Sequence, residues 1–341
     1  MLPCVDTTLT AFGAITERLP AGHRAREFRD SDRESWVDDR NAERHELQRG
    51  TADEWRAWER INPPEDLFRV AVETADGLPA AWAEVGPGFV ARPDGAVHGG
   101  VNVMRAHRRK GLGAALLEVV EAEALRRKAP RILASAGASM PDAFDWARSR
   151  GYREIGRRIE AYVYVQTFDP APYTDLLARV QATGIRLCSL TEVLADRDAA
   201  AREQFWRDLY DADAPMWEDV PWASPMPHIP WDKFHKMMAE SDRLIHDVTI
   251  VAFDKDQIAG YTSTGRSGTD RGYTYMTGTG RDYRRKGIGT ALKVTMLTRA
   301  KAAGLRAMLT TNDEPNKAMR GINAKLGYVT LPAHIELVKT L

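Results

Sequence analysis

The 341-residue chain holds only two cysteines, Cys4 and Cys188, and no run of about eighteen apolar residues. Two lone cysteines give no disulfide framework and lack metal-site spacing, so no bound metal is expected. Without a long apolar run no membrane-spanning helix is predicted, and the opening residues lack the basic stretch and apolar core of a secretory signal. An excess of either charge is also missing, since Lys plus Arg and Asp plus Glu each number 48. Such a balance provides no bulk field for nucleic acid or a membrane surface. The expectation is a cytoplasmic protein, monomer or homodimer, whose partner is a small molecule. At about 100–200 residues per domain, the length suggests two domains.

Repetition is abundant. Arg108-Arg109-Lys110-Gly111-Leu112-Gly113-Ala114 recurs as Arg284-Arg285-Lys286-Gly287-Ile288-Gly289-Thr290, 176 residues later. Each copy is followed 40 residues on by a Gly-Tyr pair, Gly151-Tyr152 and Gly327-Tyr328. Trp55 and Trp231 keep the same offset of 176. Three landmarks in one register indicate a duplicated domain.

The second copy follows the β-rich run Tyr273–Thr279 and precedes a helical pattern of Ile288, Ala291, Leu292, Thr295 and Met296. A strand-to-helix turn presents unpaired N–H groups and the positive end of the helix dipole, which favours an anion. Gly287 and Gly289 let backbone approach that anion closely, and Arg284, Arg285 and Lys286 add charge. A Walker loop would need Lys-Ser/Thr after the last glycine, and a dinucleotide fingerprint a third glycine. Neither is present. What remains is Arg-x-x-Gly-x-Gly between a strand and a helix, which resembles the acyl-CoA-binding motif of the GNAT superfamily of N-acetyltransferases.

That resemblance implies an α/β (α+β) fold of two tandem GNAT domains, each a mixed, mostly antiparallel, centrally splayed sheet flanked by helices. Residues 1–168 would form the first domain, 169–183 a linker and 184–341 the second. In the first, strands are expected over Glu27–Arg29, Phe68–Glu73, Pro79–Val85, Val101–Met104 and Ile132–Ser135, with helices over Asp32–Gln48, Asp53–Glu59 and Ala143–Arg150. In the second, strands are expected over Ile185–Cys188, Val248–Phe253, Ile258–Thr264, Thr274–Thr279, Ala307–Thr311 and His334–Val338. Its helices fall over Asp198–Tyr210, Trp231–Ala239 and Asn316–Leu326. The layout resembles mycothiol synthase-type actinobacterial acetyltransferases.

The halves are unequally equipped. Asn316 stands where the family commonly has an Asn that bonds the pantetheine arm, and Asn312 and Met319 fit the same pattern; the first half has Met140, whose thioether cannot donate. Asn316 is equally suited to a helix N-cap. The second half is therefore expected to bind acetyl-CoA or another short acyl-CoA and to catalyse, and the first to be a degenerate copy. Cofactor contacts are expected from Met276, Thr277, Gly278 and Thr279 and from the loop Arg284–Thr290, with Arg108, Arg109, Lys110, Gly111, Gly113 and Ala114 as the first-half counterpart.

About sixteen extra residues fall between the opening strand and second helix of the second half, within 211–231. Trp217, Trp222 and Trp231 with Asp213, Glu218 and Asp219 suit a cationic amine, through cation–π and ion-pair contacts. The alternative is a proline-rich lid that packs its tryptophans on its own domain. Acetyl transfer needs a base for the amine and an N–H donor for the oxyanion, the latter from Met276–Thr279. Candidates for the base are Tyr273, Tyr275, His228, Glu218 and Asp219. Where many relatives carry a tyrosine acid, this chain has Asn323 and, in the first half, Ala147. The expected function is N-acetyl transfer from acetyl-CoA to a small-molecule amine; the alternative is a CoA-binding sensor without turnover.

Overall fold

Element ends follow local capping chemistry. In the computed structural model, which describes residues 7–63 and 65–341, Thr51 and Glu54 form a reciprocal capping box before a helix, as do Ser189 and Glu192. Gly77 and Lys255 take positive φ in the hairpin turns at Ala75–Gly77 and Asp254–Gln257. Cys4 lies outside the described residues, and Cys188 is a half-buried free thiol. Among the described residues no helix is long and apolar enough to cross a membrane.

The chain divides into two compact units: the residues up to Ile155 together with Ile335–Leu341, and Gly156–His334. The first unit contains α1 (Thr7–Thr16), β1 (His23–Glu27), α2 (Asp32–Asn41), α3 (Ala52–Ile61), β2 (Phe68–Thr74), β3 (Pro79–Gly86), β4 (Val97–Val103), α4 (Leu112–Arg126), β5 (Arg131–Gly137) and α5 (Pro141–Ser149). The second contains β6 (Arg153–Tyr164), α6 (Thr174–Ala182), β7 (Ile185–Ser189), α7 (Leu190–Leu194), α8 (Ala199–Glu218), α9 (Trp231–Met238), β8 (Ile250–Asp254), β9 (Gln257–Ser267), β10 (Arg271–Thr279), α10 (Ile288–Ala302), β11 (Ala307–Asp313), α11 (Lys317–Lys325) and β12 (Val329–Thr330). β13 (His334–Thr340) returns to the first. The strand after Tyr152 thus lies in the second unit, although it falls within residues 1–168. β13 lies in the first, although it falls within 184–341.

Within the first unit the strand order is β1-β2-β3-β4-β5-β13, and within the second β6-β11-β10-β9-β8-β7, with β12 on β6. The pairs β4–β5 and β10–β11 are parallel, while β1–β2–β3–β4 and β7–β8–β9–β10 are antiparallel. Each sheet buries one face against its glycine-led helix. Leu112, Leu116 and Val120 of α4 meet Val70, Ala83 and Val85, and Ile288, Leu292 and Met296 of α10 meet Ile250, Ala252 and Ala259. At about 25 cal/mol per Å2 of apolar surface, these faces supply most of the driving force for folding.

Three elements differ from expectation. The opening strand is His23–Glu27, earlier than Glu27–Arg29, and the helix predicted over Asp32–Gln48 ends at Asn41. The helix predicted to stop at Tyr210 continues to Glu218 through Pro215. Phe205, Leu209, Asp213 and Met216 keep one buried stripe across the proline, and that packing outweighs the lost N–H bond.

Candidate active site

β10 pairs with β9 from Arg271 to Thr279, with a bulge between Thr274 and Met276, but with β11 only from Arg271 to Thr274. β11 runs on along β6 instead. From Tyr275 to Thr279, therefore, one edge of β10 has no strand partner. The first unit repeats the device, since β4 meets β5 only at Val97 and His98. Past the open edge the chain turns with Arg285 at φ 62° and Gly287 at φ 83°, and α10 begins. Arg109 at φ 60° and Gly111 at φ 88° reproduce it. The first helical bond runs from Ala291 N–H to the Gly287 carbonyl at 3.0 Å, so the N–H groups of Ile288, Gly289 and Thr290 lie ahead of the ladder. A Cβ at Gly289 would lie 3.4 Å from Thr279 Oγ1 and 3.8 Å from Ile322, a bare approach into which backbone and ligand fit.

The arginines are held by the protein itself. Arg284 Nε donates to the Thr279 carbonyl at 3.2 Å, and its Nη2 pairs with Asp219. Arg281 also pairs with Asp219 at 2.9 Å and with Glu218 at 3.5 Å. These two guanidiniums pull the Asp219 carboxyl down to about 2. Glu218 and Asp219, expected on an acceptor wall, thus sit on the arginines of the cradle. The counterparts behave alike: Arg108 Nε donates to Val103 at 3.1 Å and pairs with Glu43 at 2.6 Å, while Arg105 pairs with Asp39. Among the described residues Arg285 and Lys286 have no carboxylate partner, whereas Arg109 is paired with Asp142.

The other face of β9 and β10 carries α8. Tyr261 lies opposite Gly278, and a side chain at Gly278 would strike Met216 of α8. Asp213, 2 % exposed, accepts from Tyr261 Oη at 2.6 Å and meets His228 Nε2 at 2.9 Å. Trp217 and Trp222 pack on each other at 4.9 Å, and their indole N–H groups donate to the carbonyls of Met226 and Trp217. Trp231 stacks under Arg207 at 3.6 Å and against Tyr210. The structure thus places all three tryptophans in packing within their own unit. Tyr273 donates to Thr311 Oγ1 at 2.7 Å, and burial pushes its phenol up. Tyr275 lies beside it, ring centres 5.9 Å apart.

Asn316 is the N-cap of α11, its Oδ1 accepting from Met319 N–H at 3.2 Å; Met140 makes no such bond at α5. Buried Asn323 donates through Nδ2 to Asn312 Oδ1 at 2.7 Å. An amide so placed cannot act as a phenolic acid.

The corresponding face of the first unit is filled. Trp82, opposite Asn102, packs with Trp36, Trp55 and Phe28 at 5.4–5.8 Å. Arg69 lies over Phe28, Trp55 and Trp82, and Glu59 joins Arg33, Arg69 and the Trp55 N–H. The sequence reading missed this cluster, for which Trp36, Trp55 and Trp82 were the available signal. It also missed Tyr261, and it placed Asp213 among the charges of the inserted loop, whereas Asp213 is buried in the stripe of α8.

Known proteins match this geometry. The acetyltransferase (GNAT) family matches residues 26–152 and 205–328, more than half of the chain. The chain belongs to the acetyltransferase (GNAT) family. It is a tandem of two GNAT domains, a fold that binds acyl-CoA and supports acyl transfer. A GCN5-related N-acetyltransferase from Sphaerobacter thermophilus is similar in structure over 94% of this chain and 96% of its own, with TM-score 0.71 and 20% identity. A tandem GNAT protein from the clavulanic acid biosynthesis pathway aligns over 93% and 98%, with TM-score 0.70 and 17% identity. Saccharomyces cerevisiae N-myristoyltransferase with bound myristoyl-CoA aligns over 94% and 80%, with TM-score 0.60 and 9% identity. No curated protein sequence gives a match.

Proposed function

We propose that the second GNAT unit transfers an acetyl or other short acyl group from acyl-CoA to the amine of a small molecule, in a cytoplasmic setting, and that the first unit is a degenerate copy. The open β10 edge from Tyr275 to Thr279, leading into the Gly287 turn, carries this reading. The pantetheine would lie along that edge, with the pyrophosphate on the N–H groups of Ile288, Gly289 and Thr290 and the cations of Arg285 and Lys286 beside it. The Asn316 amide, with Nδ2 not needed for the cap, suits the pantetheine; Met140 does not. On the corresponding face of the first unit, Phe28, Trp36 and Trp55 pack on Trp82.

Gly289 is not at positive φ, and a Cβ there meets nothing closer than 3.4 Å, so Gly289→Val tests ligand approach rather than folding. Calorimetry should show acetyl-CoA binding at the second unit lost, while unfolding by denaturant changes little. Unchanged affinity and stoichiometry would end the assignment. Thiol release from acetyl-CoA with spermidine, glucosamine, an aminoglycoside and an amino-sugar thiol separates turnover from cofactor sensing: binding without release from any of them favours the sensor.

A further inference from the structure

We propose that His228 takes the proton from the acceptor amine at its Nδ1 atom, and that buried Asp213 is the positioning residue that fixes it for this task. The inference rests on the acyl-transfer reading above. A carboxylate only accepts, so the 2.9 Å contact between Asp213 Oδ2 and His228 Nε2 puts the imidazole proton on Nε2 and the lone pair on Nδ1. Among the described residues nothing is bonded to Nδ1, and the side chain keeps 17% of its surface open. Asp213 is itself locked, with Tyr261 Oη on its other oxygen at 2.6 Å. Tyr261 is the cross-strand partner of Gly278, so the dyad stands over the stretch of β10 whose far edge is open.

The other candidates serve less well. Tyr273 uses its proton on Thr311 and is pushed away from ionisation by burial, and Asp219 is tied to Arg281 and Arg284 at a pKa of about 2. Glu218 shares Arg281. The titratable groups facing His228 are Asp213 and Tyr210 of α8, with Tyr261 of β9 behind Asp213 and the Trp217 ring at 6.0 Å. Burial, with Asp211, Asp213 and Asp232 nearby, raises Tyr210; Arg207 lies over Trp231, which itself meets the Tyr210 ring.

In the step, His228 Nδ1 takes one proton from the ammonium, freeing the lone pair that forms the N–C bond to the acyl carbon. As the C–S bond breaks, a second amine proton goes to the thiolate, and the imidazolium returns its proton to solvent. Acyl-CoA, as co-substrate, supplies the activated thioester.

His228→Gln should lower kcat about 100-fold or more with acetyl-CoA and the responsive amine, remove the acidic limb of the rate–pH profile, and leave the acetyl-CoA Kd within about two-fold. Asp213→Asn should lower kcat more than it changes KM and displace that limb, and Asp213→Glu should recover part of the loss. Nitrogen-15 NMR of the unaltered, acetyl-CoA-free protein should show the Nε2–H tautomer for His228, lost in Asp213→Asn. An Nδ1–H tautomer in the unaltered protein, or a His228→Gln enzyme with kcat within three-fold and an unmoved profile, overturns the proposal. If the variants do not fold, the tautomer measurement alone decides. Absence of thiol release by the unaltered protein counts against acyl transfer itself and is read in the same assay before any variant.

Discussion

At the residue scale, Lys293 is the most informative difference between the repeats. Its side chain is fully buried in α10, among the described residues its Nζ has no hydrogen-bond partner, and the Tyr328 ring lies 4.8 Å away. The position 176 residues earlier is Leu117, also buried. Burial lowers the Lys293 ammonium to about 7, against about 10.4 in an unfolded chain. Between those values the unfolded state binds more protons, so this residue makes stability rise with pH over that window. Above it the burial cost is gone, and below about 7 the cost is complete. Lys293→Leu should therefore raise the melting temperature by several degrees at pH 7 and by much less at pH 10, as heating scans at both values would show. Equal melting temperatures at pH 7 would mean that the ammonium has found solvent. Lys293 stands outside the stripe of Ile288, Ala291, Leu292, Thr295 and Met296, so the periodicity carried no signal of a buried amine.

At the element scale, α8 decides where the acids go. Ending the helix at Tyr210 placed Glu218 and Asp219 on an inserted segment; the continuing helix delivers them to Arg281 and Arg284 instead. A carboxylate at a helix C-terminus opposes the dipole, and these guanidiniums offset that. Because they hold Asp219 at about 2, it stays charged at any ordinary assay pH and would compete with a bound phosphate for the same arginines. Asp219→Asn should tighten acetyl-CoA binding about three- to ten-fold at low salt, with the gain shrinking as ionic strength rises. Weaker binding, measured by calorimetry across a salt series, would show that the acid orients the arginines rather than competing for them. The glycine turns were legible because Gly111 and Gly287 take a positive φ that few other residues adopt readily. The arginine pairings were not, since they join segments some sixty-five residues apart in sequence.

At the scale of the whole molecule, the duplication was plain from Gly111, Gly287 and the paired tryptophans, but the membership of the closing strands was not. Nothing in Arg153–Tyr164 or His334–Thr340 as sequence says which sheet each joins. β6 pairs β11 at seven positions, Ala307 to Asp313, and supplies Ala161 and Val163 to the second core. A chain of residues 156–334 should therefore unfold cooperatively in denaturant and bind acetyl-CoA, whereas residues 184–341 alone, lacking that strand, should show no cooperative transition. Cooperative unfolding of the shorter chain would make β6 dispensable.

The split membership of the first unit also sets a timetable. Ile335 and Leu337 fill its core and Val338 covers Ala96 and Leu133, yet all three are synthesised after every residue of the second unit. Domains ordinarily fold in the order in which they leave the ribosome. Here the later one can finish first, while the earlier waits with the β5 edge uncovered, and an uncovered edge is where chains aggregate. The repeat with the filled face, not the one with the open edge and the Gly287 turn, is the part of a newborn chain most in need of a chaperone.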